Sequence, residues 1–89
     1  MTRVVIKKIA PIWFEQILLG KKKYELRLND FEVEEGDTLL LEEWTENPKA
    51  PTGRKIEKKV TSVGKFRIGE LYWPKEEILE KGLQILSLE

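Results

Sequence analysis

The chain reads as a mainly β, α+β domain: a small, curled β-sheet or barrel with one helix after its first strand and a short helix before its last. Three observations predict this. Short stretches of strand-like alternation recur along the 89 residues. Only two stretches show helical spacing and end signals. No βα unit repeats, which argues against a doubly wound sheet. The length suits a single domain, residues 1–89, around one small core.

In chain order, residues 3–9 (RVVIKKI) are rich in β-branched side chains and form the first strand. Pro11 opens a helix over residues 11–19, where a missing amide proton costs nothing. Trp13, Phe14, Ile17 and Leu18 share a stripe that should pack on a sheet. Gly20 closes this helix, as a residue tolerant of positive φ. Residues 22–28 form the second strand, with Tyr24, Leu26 and Leu28 on one side and Glu25 and Arg27 on the other. Asn29-Asp30 marks a turn, residues 31–33 an extended link, and Glu35-Gly36-Asp37 a tight turn. Residues 38–44 (TLLLEEW) are the third strand. Residues 45–53 hold two prolines and a glycine and read as a loop. Residues 54–63 are the fourth strand, whose imperfect alternation fits a bulge or an edge. Residues 64–73 are a loop or a short strand. Pro74 and Gly82 bracket the second helix, and residues 83–88 (LQILSL) close the chain as a strand.

Composition excludes several chemistries. Cysteine and histidine are both absent, which removes thiolates, the commonest metal ligand and the commonest general base. Neither a metal nor a cofactor is expected, and the acidic run Glu32, Glu34, Glu35, Asp37 lacks the spaced ligands of a calcium loop. It reads as solvated. No stretch is apolar enough to cross a bilayer and the start lacks a signal peptide's apolar run, so the expectation is a soluble, cytoplasmic protein. Charged residues form 36% of the chain, mostly Lys and Glu, a bias typical of thermophile proteins.

A net charge of zero conceals segregation. Residues 1–23 carry six basic side chains against Glu15, and residues 24–46 carry nine acidic ones against Arg27. Residues 47–69 are basic again, seven against Glu57, and residues 70–89 are acidic, five against two. Either the basic stretches meet and form a positive face, or they pair with acidic neighbours and cancel.

The stretch Gly20-Lys21-Lys22-Lys23-Tyr24-Glu25-Leu26-Arg27 concentrates the site signals. Arg27 offers a planar fork for phosphate and Lys22 a point charge. Glu25 accepts from an exocyclic amine or orients Arg27, and Lys21 and Lys23 add to the field. A solvated strand face with an exposed ion pair worth roughly 0–1 kcal/mol has the same spacing. Trp44 is either a stacking platform for a base or a rim residue. Arg54, after Gly53 at the loop's end, reaches for a phosphate or simply starts a strand. Trp13 and Phe14 read as core.

The order Gly-x-Lys-x-x-Glu-x-Arg (Gly20, Lys22, Glu25, Arg27) after a helix resembles the ASCH domains of the PUA-like superfold. Val33-Glu34-Glu35-Gly36-Asp37, Glu42-Glu43-Trp44, Gly53-Arg54 and the closing residues 82–88 support the resemblance, which spans nearly the whole chain. It is closest to a small single-domain bacterial and archaeal subgroup. The resemblance implies a barrel of five to six strands, with a cleft between the first helix, the motif strand and the long loop. It also implies binding of RNA or nucleotides. Some small relatives hydrolyse the amide of N4-acetylcytidine with the motif lysine, a threonine and a later glutamate. Lys22 matches that lysine, Glu25 stands where the threonine would be, and Glu70 is a candidate for the later acid.

The expectation is therefore an RNA- or nucleotide-binding module using Gly20, Lys21, Lys22, Glu25, Arg27, Trp44 and Arg54. The alternatives are an amidohydrolase on N4-acylated cytidine, with Lys22 and Glu25 catalytic, and a protein-interaction module whose partner is unknown.

Overall fold

A computed structural model describes residues 2–86. Its elements are β1 (Val4–Ile9), α1 (Pro11–Leu18), β2 (Thr38–Glu46), β3 (Lys49–Lys59), a single 3-10 turn (Ile68–Glu70) and α2 (Lys75–Lys81). The strands lie in the order β1-β2-β3, with β1 parallel and β3 antiparallel to β2. A parallel pair needs a long crossover. Residues 10–37, which include α1, supply it.

Alternation places Val5, Lys7 and Ile9 of β1 beside Leu39, Leu41 and Glu43 of β2, and Ile56 of β3 beside Leu41. α1 lies on this face. Ile9, Phe14, Ile17 and Leu41 form the core, with Leu39 and Ile56 packed against it. The expected helical stripe is narrower than predicted: Phe14 is 1% exposed, but Trp13 is 46% exposed. At 100° per residue Phe14 and Ile17 lie at the stripe's centre, and Trp13 and Leu18 at its two edges. One helix on a three-stranded sheet covers the centre only. Trp13 is therefore not a core residue.

The fold is an open mixed sheet and does not close into a barrel of five to six strands. Among the described residues, 22–28 pair with no strand, although Leu26 and Leu28 alternate as a strand's would. A physical reason lies in the segment itself. Lys22 Nζ donates to Glu25 Oε1 at 3.0 Å, an i,i+3 contact. On a flat strand those side chains point to opposite faces, so the chain must bend between them. Residues 83–86 are also irregular, and 87 and 88, the rest of the expected last strand, lie outside the described residues.

The expected loop 45–53 is instead a hairpin. β2 turns at Asn47 and Pro48, and Thr45 Oγ1 donates to the carbonyls of Pro48 (2.6 Å) and Ala50 (3.2 Å). β3 is an edge strand, where Pro51 removes no needed ladder bond. Between the pairs Glu42–Lys55 and Trp44–Pro51 the register breaks, and Gly53 takes φ +93° there. α2 matches its end signals, with Pro74 before it, Gly82 after it at φ +73°, and Glu76 and Glu77 in its first turn.

Asp37, expected to be solvated, is 1% exposed. Its carboxylate accepts from the Glu34 amide (2.8 Å) and from the Arg3 amide and Nε (both 3.1 Å). The Glu34 amide is the main reason that its pKa lies below the ordinary value, with Arg3 adding to it against the opposing effect of burial. Nearby, Thr38 N–H donates to Arg3 O, and Gly36 and Val60 N–H donate to Val60 and Asp37 carbonyls. The start of β1, the start of β2 and the end of β3 are thus stitched around one carboxylate.

Truncating Phe14 to alanine should cost roughly 3–5 kcal/mol, the usual penalty for emptying a buried aromatic site. Leu18→Ala, at the stripe's edge and 48% exposed, should cost less than half as much. Urea unfolding distinguishes the two; equal losses would mean that the core is centred elsewhere.

Candidate functional site

The site begins where α1 ends. Gly20 takes φ +77°, and the amides of Lys21 and Lys22 both donate to Gln16 O, at 2.9 and 3.1 Å. The chain therefore folds back along its own helix and sets Lys22 beside Trp13. Lys22 Nζ lies 5.2 Å from the Trp13 ring centroid and 5.1 Å from that of Tyr24, within cation–π range of both. Its third neighbour is Glu25 Oε1. The other oxygen of Glu25 accepts from Arg27 Nε at 2.8 Å and lies 2.7 Å from Nη2 as an ion pair. Nη2 also donates to Lys8 O at 2.5 Å, which ties the segment to the end of β1.

Residues 22, 25 and 27 thus converge. Their side chains are 11%, 14% and 29% exposed, so the exposed surface pair considered from spacing alone is not what forms. Segment 22–27, the end of β1 and Trp13 enclose a cleft of about 450 Å³. Lys8, Lys22 and Arg27 line it, and Glu25 is the one acid among its described lining residues.

The remaining expected residues go elsewhere. Gly20 makes the turn and borders the neighbouring groove. Lys21 is exposed and is not part of the cleft wall. Trp44 is not in the cleft either: Lys8 Nζ lies 3.9 Å above its ring, and its Nε1 is buried without a partner among the described residues. Trp13, expected in the core, and Tyr24, expected on the leucine side of a strand, are the cleft's aromatic walls. The wide angle of Trp13 on the helical wheel was the available signal for it.

Arg54 is a structural clamp. Its Nε and Nη2 each donate at 2.9 Å to one oxygen of Glu43, and Nη2 also reaches Glu15 Oε2 at 2.9 Å. Its guanidinium lies 4.8 Å over the Phe14 ring, and Thr52 Oγ1 donates to Glu43 Oε1 at 2.6 Å. Arg54 and then Thr52 hold the buried Glu43 carboxyl down at about 2, against the effect of burial, and Arg54 is raised in return. The register break in the hairpin is thereby fastened to α1. Two of the three nitrogens of the fork that was expected to take a phosphate, Nε and Nη2, are thus engaged by carboxylates, and the residue stands outside the cleft wall.

On the other side of segment 22–28 runs a groove of about 860 Å³, floored by Leu39 and Leu41. Here the two basic stretches meet: Lys22 and Lys23 from one wall, Lys58, Lys59 and Lys65 from the other. Some cancellation occurs as well, since Lys55 pairs with Glu42 at 3.4 Å across the β2–β3 ladder. Among the described residues no group of three His, Cys, Asp or Glu is placed to hold a metal, and no helix is long and apolar enough to cross a membrane.

Comparison with known proteins places the sites within a family. The family DUF3850, a domain of unknown function, matches residues 6–73. An uncharacterized 12.9 kDa protein in the GpA 3' region of Escherichia phage P2 is 40% identical over 63 residues. That alignment covers 71% of this chain and 56% of the relative, so the chain spans little more than half of the phage protein's length. No solved structure matches.

The Glu43 clamp makes a pH-dependent contribution with a defined sign. A carboxyl lowered from 4.5 to about 2 stabilises the fold fully above about pH 4.5 and loses that effect as the pH falls toward 2. Glu43→Gln should therefore lower Tm at pH 7 by several degrees and flatten the fall of Tm between pH 4.5 and 2 relative to the parent. Thermal unfolding across that range tests it, and two parallel profiles would exclude Glu43 as a source of the acid sensitivity.

Proposed function

We propose an RNA- or nucleotide-binding function, without chemistry of its own, for this chain, which belongs to the DUF3850 family. The matched stretch, residues 6–73, contains every residue of the cleft. One observation carries the reading: the cleft sets two cations, Lys22 and Arg27, against one carboxylate, and that carboxylate is already bound, between walls made of two aromatic rings. A ligand that is both anionic and aromatic suits it, and the cleft's volume is that of a small-molecule site.

In this reading the phosphate takes the N–H groups of Arg27 that face neither Glu25 nor Lys8, together with the Lys22 ammonium. The base stacks on Trp13 or Tyr24, a contact worth roughly 1–3 kcal/mol. Glu25 holds the two cations in place. The resemblance of Gly20, Lys22, Glu25 and Arg27 to the ASCH motif points the same way, and a cytoplasmic location follows from such a ligand. Hydrolysis of N4-acylated cytidine has less support. A lysine acting as base or nucleophile needs a free lone pair, whereas the Lys22 Nζ donates to Glu25 and faces two rings. Glu70, on the 3-10 turn, lines neither the cleft nor the groove. A protein-interaction role draws no support from the cleft's chemistry.

An NMR titration with mononucleotides and short RNAs should shift the resonances of Trp13, Tyr24 and residues 22–27. Arg27→Ala should weaken binding about ten-fold or more, the loss of a charge-assisted hydrogen bond, and Arg27→Lys should restore only part of it because the fork is gone. Shifts confined to other surfaces would defeat the proposal. Release of cytidine from N4-acetylcytidine, abolished by Lys22→Ala, would replace it with the hydrolase reading.

A further inference from the structure

We infer that the cleft is the end of a longer track, and that the ligand class is single-stranded nucleic acid of several nucleotides, continuing into the groove beyond segment 22–27. The inference rests on the nucleotide reading of the cleft. Cleft and groove share one wall: Lys22, Tyr24, Glu25, Leu26 and Arg27 line both. A chain whose phosphate sits on Lys22 and Arg27 has the groove directly beside it.

The groove's chemistry fits that continuation. Lys58, Lys59 and Lys65 line it, and among the described residues none of them has an acidic partner. They come from the far end of β3 and the segment after it, so they extend the positive surface away from the cleft rather than thicken it. Glu25 is again the only acid among the described lining residues. Phe66 stands on the same wall, 55% exposed, over a floor of Leu39 and Leu41. Cations beside apolar and aromatic surface suit a strand whose bases are splayed out and stacked. A duplex hides its bases, and an acidic peptide offers the carboxylates without the rings. Both are poorer matches.

The test measures the affinity of the full chain for uridine monophosphate and for oligouridylates of two, four and eight nucleotides, at several salt concentrations. Affinity should rise at least ten-fold from the monophosphate to the octamer. The double substitution Lys58→Gln, Lys65→Gln should leave monophosphate binding within two-fold of the parent. It should reduce the slope of log affinity against log salt for the octamer by about 1.4, at about 0.7 per lost contact. Phe66→Ala should weaken the octamer about ten-fold and the monophosphate not at all. These side chains are exposed, so the variants should fold as the parent does, which circular dichroism checks. Affinity independent of length, with monophosphate still bound, would overturn the track and leave the cleft reading intact. Absence of binding at every length would overturn both. A duplex or a polyglutamate peptide that binds more tightly than the octamer would overturn the assignment to single strands.

Discussion

The arrangement around the cleft depends on one carboxylate. Glu25 gives one oxygen to Lys22 and the other to Arg27, and Arg27 in turn holds the Lys8 carbonyl. Among the described residues segment 22–28 has no ladder to fix it, so these side-chain bonds take the place of strand pairing. They also decide its shape. The bend that brings Lys22 to Glu25 keeps the first residues of the segment out of a sheet, and the same bend opens a cleft on one side and a groove on the other. Because the two cations outnumber the acid that holds them, the cluster stays positive after its internal bonds are made.

A second carboxylate–arginine pair shows how burial changes the role of the same chemistry. Glu43 is 4% exposed and Arg54 binds it through both nitrogens of its fork. Breaking such a pair leaves an uncompensated charge, whereas keeping it contributes less than its contacts suggest. Its value lies in position: it locks an irregular hairpin onto a helix at one register. Arg54 therefore serves first as a fastener of the hairpin, while Arg27, with a side chain 29% exposed, stands in the wall of the cleft.

Much of this was legible in the sequence, and the failures have a common cause. The order of β1, α1, β2 and α2 follows from local signals: β-branched runs, Pro11 and Pro74 at helix starts, Gly20 and Gly82 at their ends. The sharing of a face by Glu25 and Arg27 follows from a spacing of two in any extended chain, paired or not. Alternation, however, states which way a side chain points and not which backbone its amides meet. Tyr24, Leu26 and Leu28 therefore looked like a strand, residues 83–86 looked like another, and a closed barrel followed from counting them. The hairpin was hidden because Pro48, Pro51 and Gly53 signal a loop, yet an edge strand with a register break accepts all three. Asp37 was misread as solvated, and the carboxylate partners of Arg54 were not foreseen, because the pairs Arg3–Asp37 and Glu43–Arg54 join residues 34 and 11 positions apart.

The positive surface of a neutral protein also has a structural origin. Three of its four arginines are engaged internally with a carboxylate: Arg3 with Asp37, Arg27 with Glu25 and Arg54 with Glu43. The planar fork suits that task, since it makes directional bonds and can lie against a ring, as Arg54 does on Phe14. Each such pair withdraws one acid from the surface as well as one base. Lysine is the more numerous cation, and among the described residues Lys58, Lys59 and Lys65 stay outside with no such pairing. Division of labour between the two basic residue types thus removes Asp37, Glu25 and Glu43 from the exposed charge on this side of the sheet. What remains beside the cleft and groove is lysine, and the local field there follows from how the arginines are used rather than from the total charge.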